Sequence, residues 1–99
     1  MNPCMELVVY QLHDNADPEK YRKYIDMLQN ALQGEEGFLE RRVFYNAETG
    51  YWVETVRWEN REAAKRCEAS LMRQPFMAEA MTLIDTSTLQ LHLVHPVLE

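Results

Sequence analysis

Period-two spacing over residues 51–58 places Trp52, Glu54, Val56 and Trp58 on one side of a strand, so a carboxylate stands between large apolar groups. A strand packed on an ordinary core is apolar along that whole face. A glutamate there predicts either a pocket or a buried acid whose hydrogen bonds are satisfied. At Asn60 the period changes from two to the helical three and four: Asn60 caps a helix carrying Ala63, Ala64, Cys67 and Leu71. A break at Arg73-Gln74 follows, and Pro75 opens a shorter helix whose apolar side is Phe76, Met77, Ala80, Met81 and Ile84.

Upstream, residues 5–13 alternate as a first strand, with Leu7, Val9, Gln11 and His13 on one side and Glu6, Val8, Tyr10 and Leu12 on the other. Neither side is wholly apolar. Asp14 to Pro18 combines turn residues with a capping aspartate and a proline at the first helical position, and Glu19 suits the positive end of the helix dipole. The helix that follows carries Tyr21, Tyr24, Ile25, Leu28, Ala31 and Leu32 as one stripe and ends near Gly34, with Gly37 closing the segment. Phe38 to Tyr45 reads as a second strand, joined by Asn46 to Gly50 to the strand bearing the two tryptophans as an antiparallel hairpin. Leu89, Leu91 and Leu93, alternating with Thr88, Gln90, His92 and Val94, form a fourth strand stopped by Pro96.

Strand, helix, strand, strand, helix pair, strand is the order of a ferredoxin-like split β-α-β arrangement: an α+β fold with a four-stranded antiparallel sheet and its helices on one face. The 99 residues make a single domain spanning 1–99, with Leu98 and Glu99 read as the remnant of a cloning tag and set aside. The second face of the sheet is left bare. Stacking two such faces removes an aggregation hazard, so the pattern predicts a homodimer through the open sheet face, closing into an α+β barrel. His92, sharing a face with Gln90 opposite the leucines, is expected at the barrel interior or the dimer contact.

Charge and composition narrow the partners. A net charge of −6 with ten scattered basic residues argues against a nucleic-acid surface, which needs clustered cations to displace counterions. Arg41-Arg42 is the densest basic pair, and alternation divides it between two faces. No apolar run reaches the roughly 20 residues of a membrane helix, and there is no secretory leader pattern, so the expected compartment is the cytoplasm. Cys4 and Cys67 lack metal-ligand spacing and are read as reduced thiols, and no His/Asp/Glu spacing recommends a metal site.

The ending of the third strand as Val56-Arg57-Trp58-Glu59-Asn60 before Glu62-Ala63-Ala64, the run Leu71-Met72-Arg73-Gln74-Pro75-Phe76, Glu54 upstream of the tryptophan, and Gly37 opening the second strand resemble the antibiotic biosynthesis monooxygenase-like group of dimeric α+β barrel proteins. The resemblance runs from Met5 to Val94. It implies a cleft between sheet and helices in which a small aromatic or quinol-like compound loses a proton and its anion reacts directly with oxygen, without a cofactor. Such chemistry needs a base, donors for the oxyanion and a dry aromatic cavity. The resemblance puts Trp58 and Glu54 in that cleft, and in its register His13 and Gln11 point there too.

His13, Glu54 and Trp58 are therefore the catalytic candidates, His13 as general base because imidazole titrates near neutrality. Gln11, Trp52, Phe76, Met77 and Met81 are the substrate-binding candidates. Each has a plainer reading: a strand-end histidine bonded at a turn, a carboxylate paired with an arginine, a core tryptophan, a core wall. The chain departs from some oxygenases of the group by Glu54 in place of asparagine and by Ala64 in place of a helix tyrosine. Heme chemistry is disfavoured, since residues 76–84 hold no histidine and residues 63–71 no aromatic. A non-catalytic small-molecule-binding module of the same fold, or an isomerase or lyase acting on a small acidic metabolite, are the competing functions; the last requires a cationic pocket built from Arg41, Arg42 or Arg57.

Overall fold

A computed structural model describes residues 3–98; Glu99, half of the terminal pair read as a tag remnant, lies outside them, as do Met1 and Asn2. The elements run β1 (Cys4–Leu12), α1 (Pro18–Leu32), β2 (Phe38–Tyr45), β3 (Tyr51–Trp58), α2 (Arg61–Leu71), α3 (Pro75–Leu83) and β4 (Ile84–Val94). One antiparallel sheet of order β2-β3-β1-β4 carries all three helices on one face. No described helix is long and apolar enough to cross a membrane.

Local chemistry sets the boundaries. The Asp17 carboxylate accepts from the Glu19 amide at 2.9 Å and Pro18 occupies the first turn of α1. Asn60 accepts from the Ala63 amide at 2.8 Å to start α2. In the β2–β3 turn the Asn46 side chain accepts from the amides of Glu48 and Thr49, while Gly50 takes φ +77°. Gly37 has φ +85°, and a Cβ there would meet the Ala63 Cβ at 2.5 Å; only glycine lets α2 lie this close to the start of β2.

Two irregularities change the expected register. Between Phe38 and Glu40 the β2 ladder slips by one residue against β3, so Arg41, Val43 and Tyr45 pair with Val56, Glu54 and Trp52. Strict alternation from Phe38 would have sent Arg41 to the open face; the bulge turns it toward the helices, where its side chain is fully buried. The fourth strand begins at Ile84 rather than Thr88. Ile84 and Asp85 pair with Leu12 and Gln11, so the residue expected to close α3 is the first of β4, in keeping with the β-branched residues that follow it. Between those pairs and Val9–Gln90 the strand bulges, and the Thr88 hydroxyl accepts from the Gln11 amide at 2.8 Å.

The helix-side core falls into two clusters. One surrounds Trp58 with Cys4, Leu32, Val56, Ala63, Ala64 and Cys67. The other joins Tyr10, Tyr21, Ile25, Trp52, Ala80 and Ile84. On the opposite side Leu7, Val9, Val53 and Phe44 form an apolar strip with Thr55, Arg57, Gln90 and His92 around it. Phe44 is 44% exposed within one chain, and His92 is exposed as well.

Candidate active site

Between the sheet and the three helices lies a cavity of about 200 Å³, bounded by both core clusters. Its walls are mostly aliphatic: Val8, Leu28, Met77, Met81 and Leu89 are typical. Its polar groups come mainly from the sheet, with Tyr24 of α1 and Glu68 of α2 at the helical side. β1 contributes Glu6 and Tyr10, β2 Arg41, and β3 Glu54, with Tyr21 reaching in from α1. That alternate residues of three neighbouring strands meet here follows from the pleat and from the bulge that turns Arg41 inward.

Glu54, only 6% exposed, is held on all sides. One oxygen, Oε1, accepts from Arg41 Nη2 at 2.6 Å and Nε at 3.0 Å, while Oε2 accepts from the Tyr10 hydroxyl at 2.5 Å. The remaining guanidinium nitrogen, Arg41 Nη1, donates to the Ile25 carbonyl at 2.9 Å and to Gln29 Oε1 at 3.3 Å, where α1 presents them. Tyr10 has one hydroxyl proton and gives it to Glu54, so in the 2.6 Å contact between the two phenols Tyr21 donates. Burial and the Glu54 charge drive the Tyr10 hydroxyl far above its ordinary range, and burial pushes that of Tyr21 up to about 12. Both therefore keep their protons at neutral pH. The Tyr21–Tyr10–Glu54–Arg41 chain engages both oxygens of Glu54 and neutralises its charge.

The second carboxylate of the cavity is differently placed. Glu6 Oε1 accepts from the Trp58 indole N–H at 2.6 Å, and Oε2 has no protein hydrogen-bond partner among the described residues. Burial raises the Glu6 pKa; the Trp58 bond opposes this, and the charges of Glu68 and Glu54 add to it. Cys67 also lines the cavity, but burial pushes its thiol up to about 12, so it stands as a neutral, apolar wall rather than a nucleophile.

Of the candidate residues, Glu54, Trp58, Met77 and Met81 line the cavity, while His13, Gln11, Trp52 and Phe76 do not. The expected placement of Gln11 and His13 in the cleft is corrected: Gln11 is on the open side of β1 and gives its amide nitrogen to the Thr49 carbonyl at 2.8 Å. His13 lies one residue beyond β1, exposed, with its amide bonded to the Leu83 carbonyl. Trp52 is buried but packs against Tyr21 and Tyr45, with ring centroids 5.3 and 4.6 Å away, and faces a groove between α1 and β2. The indole N–H of Trp58 is already committed to Glu6. Glu6, Tyr10 and Tyr21 were not singled out from sequence, and Arg41 only as one of three arginines for a cationic pocket; for Glu6 the signal was present, a carboxylate sharing a strand face with Val8 and Tyr10. Among the described residues no three His, Cys, Asp or Glu side chains come together as a metal site.

No protein-family model matches the chain, and no curated protein matches it in sequence. Solved structures do match in shape. The chain superposes on a variant of SnoaB, a cofactor-independent oxygenase from Streptomyces nogalater, with a TM-score of 0.78 at 14% identity, covering 100% of this chain and 97% of that one. Rv0793 from Mycobacterium tuberculosis gives 0.81 at 18% identity over 98% and 97%. A dimeric ferredoxin-like protein from an uncultured marine organism gives 0.76 at 10% identity over 100% and 91%. At these identities the likeness is one of fold. The described residues have the ferredoxin-like α+β fold of such structures, an antibiotic biosynthesis monooxygenase-like protein from Nitrosomonas europaea among them.

Proposed function

We propose that the protein is a cofactor-independent, monooxygenase-like enzyme that acts on a small aromatic or quinol-like compound bound between sheet and helices, and that it works as a homodimer joined through the open sheet face. The observation that carries this reading is the cavity itself: about 200 Å³, walled mostly by aliphatic side chains, with Glu6, Tyr10, Arg41 and Glu54 on its sheet side. A preformed apolar cavity of roughly 150 Å³ takes up a single aromatic ring, so a one- or two-ring compound fits here. In the reaction a hydroxyl on the ring loses its proton, and the electron-rich anion reduces dioxygen. One oxygen atom enters the ring in place of two hydrogens, and the other leaves as water. The protein's part is to exclude bulk water and hold the developing charge.

The isomerase or lyase on an acidic metabolite is disfavoured by the same geometry. Arg41 spends its donors on Glu54, Ile25 and Gln29, while Arg42 and Arg57 sit on the open face beside Glu40. The two cysteines, both buried and unpaired, suit a reducing compartment such as the cytoplasm.

Oxygen consumption over a panel of hydroquinones, naphthalenediols and anthrone-type compounds tests the enzyme reading. Saturable uptake by the wild type that is lost in Met81→Trp, which fills the cavity, is the expected result. Saturable binding of the same compounds with no uptake across the panel would contradict it and leave the non-catalytic binding module.

A further inference from the structure

Three carboxylates line the cavity: Glu68 is an exposed residue of α2, Glu54 is paired with Arg41, and Glu6 keeps one oxygen open. Glu54 engages both oxygens with Arg41 and Tyr10, and the guanidinium on Oε1 makes it a poorer proton acceptor than Glu6. Glu6 has a single protein partner, the Trp58 indole, which is 1% exposed and cannot swing away. The indole therefore fixes the carboxylate of Glu6, which lines the cavity and has Oε2 free of protein partners among the described residues. Tyr10 donates to Glu54 and accepts from Tyr21, and both phenols are neutral and keep their protons, so neither can take a proton from a ligand. We infer that Glu6 is the acceptor for the hydroxyl hydrogen of the bound ring compound, and that Trp58 is a positioning residue acting through it. This rests on the function proposed above. In the step itself the ligand O–H bond breaks, the proton forms a bond to Glu6 Oε2, and the electron pair stays on the ligand oxygen.

The groups facing Glu6 are Trp58 and Glu54 from β3, Glu68 and Cys67 from α2, and Cys4 from its own strand. None of them is a cation that would hold the carboxylate ionised, and Glu68 and Glu54 push the other way. Burial and these charges thus raise the Glu6 pKa from its ordinary value, the direction that favours taking up a proton.

Binding of 1-naphthol and of its methyl ether, 1-methoxynaphthalene, tests the inference without requiring turnover. Both are apolar and uncharged across the acid and neutral range, and only the naphthol donates a hydrogen bond. The wild type at neutral pH should prefer naphthol by about tenfold or more, the size of a bond to a charged acceptor. That preference should shrink as the pH is lowered through the Glu6 titration. In Glu6→Gln, whose carbonyl still accepts from Trp58 and preserves the packing, the preference should fall several-fold and lose its pH dependence. A preference that Glu6→Gln leaves intact, or one that does not vary with pH in the wild type, would overturn the assignment of Glu6 alone. Failure of both probes to bind would overturn it together with the cavity reading.

Discussion

Arg41 and Glu54 are the residues on which the site turns, because a buried ion pair is stable only while both members stay. Each charge has lost most of its water, and the bonds to Tyr10, Ile25 and Gln29 replace that hydration. Replacing Arg41 by Met leaves a buried carboxylate without a cation, and urea denaturation should show a loss of about 3–5 kcal/mol. Adding Glu54→Gln to that variant removes the stranded charge and keeps an acceptor for Tyr10. The double variant should therefore be more stable than Arg41→Met alone. A loss below about 1 kcal/mol in the single variant would mean that the pair is solvated and the cavity floor open to water.

At the scale of elements, what could be read from the chain was whatever depended on regular period. The face carrying Trp52, Glu54, Val56 and Trp58 is found as expected, since β3 is regular throughout. Likewise the caps at Asp17 and Asn60 announce α1 and α2, because their chemistry is local. Arg41 escaped because a one-residue bulge reverses its side, and no turn residue or glycine marks that slip in Leu39-Glu40. The placement of His13 and Gln11 in the cleft failed for the opposite reason: against β3 the strand β1 alternates cleanly, and its inward set is Glu6, Val8, Tyr10 and Leu12. The open side of the same strands carries the Leu7, Val9, Val53 and Phe44 strip, and its fate is a property of β1, β2 and β3 together. A lysine at Val53, in the middle strand of that strip, would have to be desolvated if a second sheet stacked there. Sedimentation should find the wild type a dimer and Val53→Lys a monomer; a monomeric wild type would remove the proposed interface.

For the molecule as a whole, one layer of helices over one sheet leaves a hollow with aliphatic walls and a polar floor, and everything proposed for this protein depends on that hollow taking up a ring compound. Methionine methyl groups report on it from inside and outside at once. Met72, Met77 and Met81 line the cavity, whereas Met5 belongs to the open sheet side and Met27 is an exposed residue of α1. The most direct measurement is a titration of the 13C-methyl-methionine protein with 1-naphthol, followed by the methyl resonances. Saturable shifts at Met77 and Met81, with Met27 unmoved, are the predicted result; shifts confined to Met5 and Met27, or none at saturating naphthol, would contradict the account.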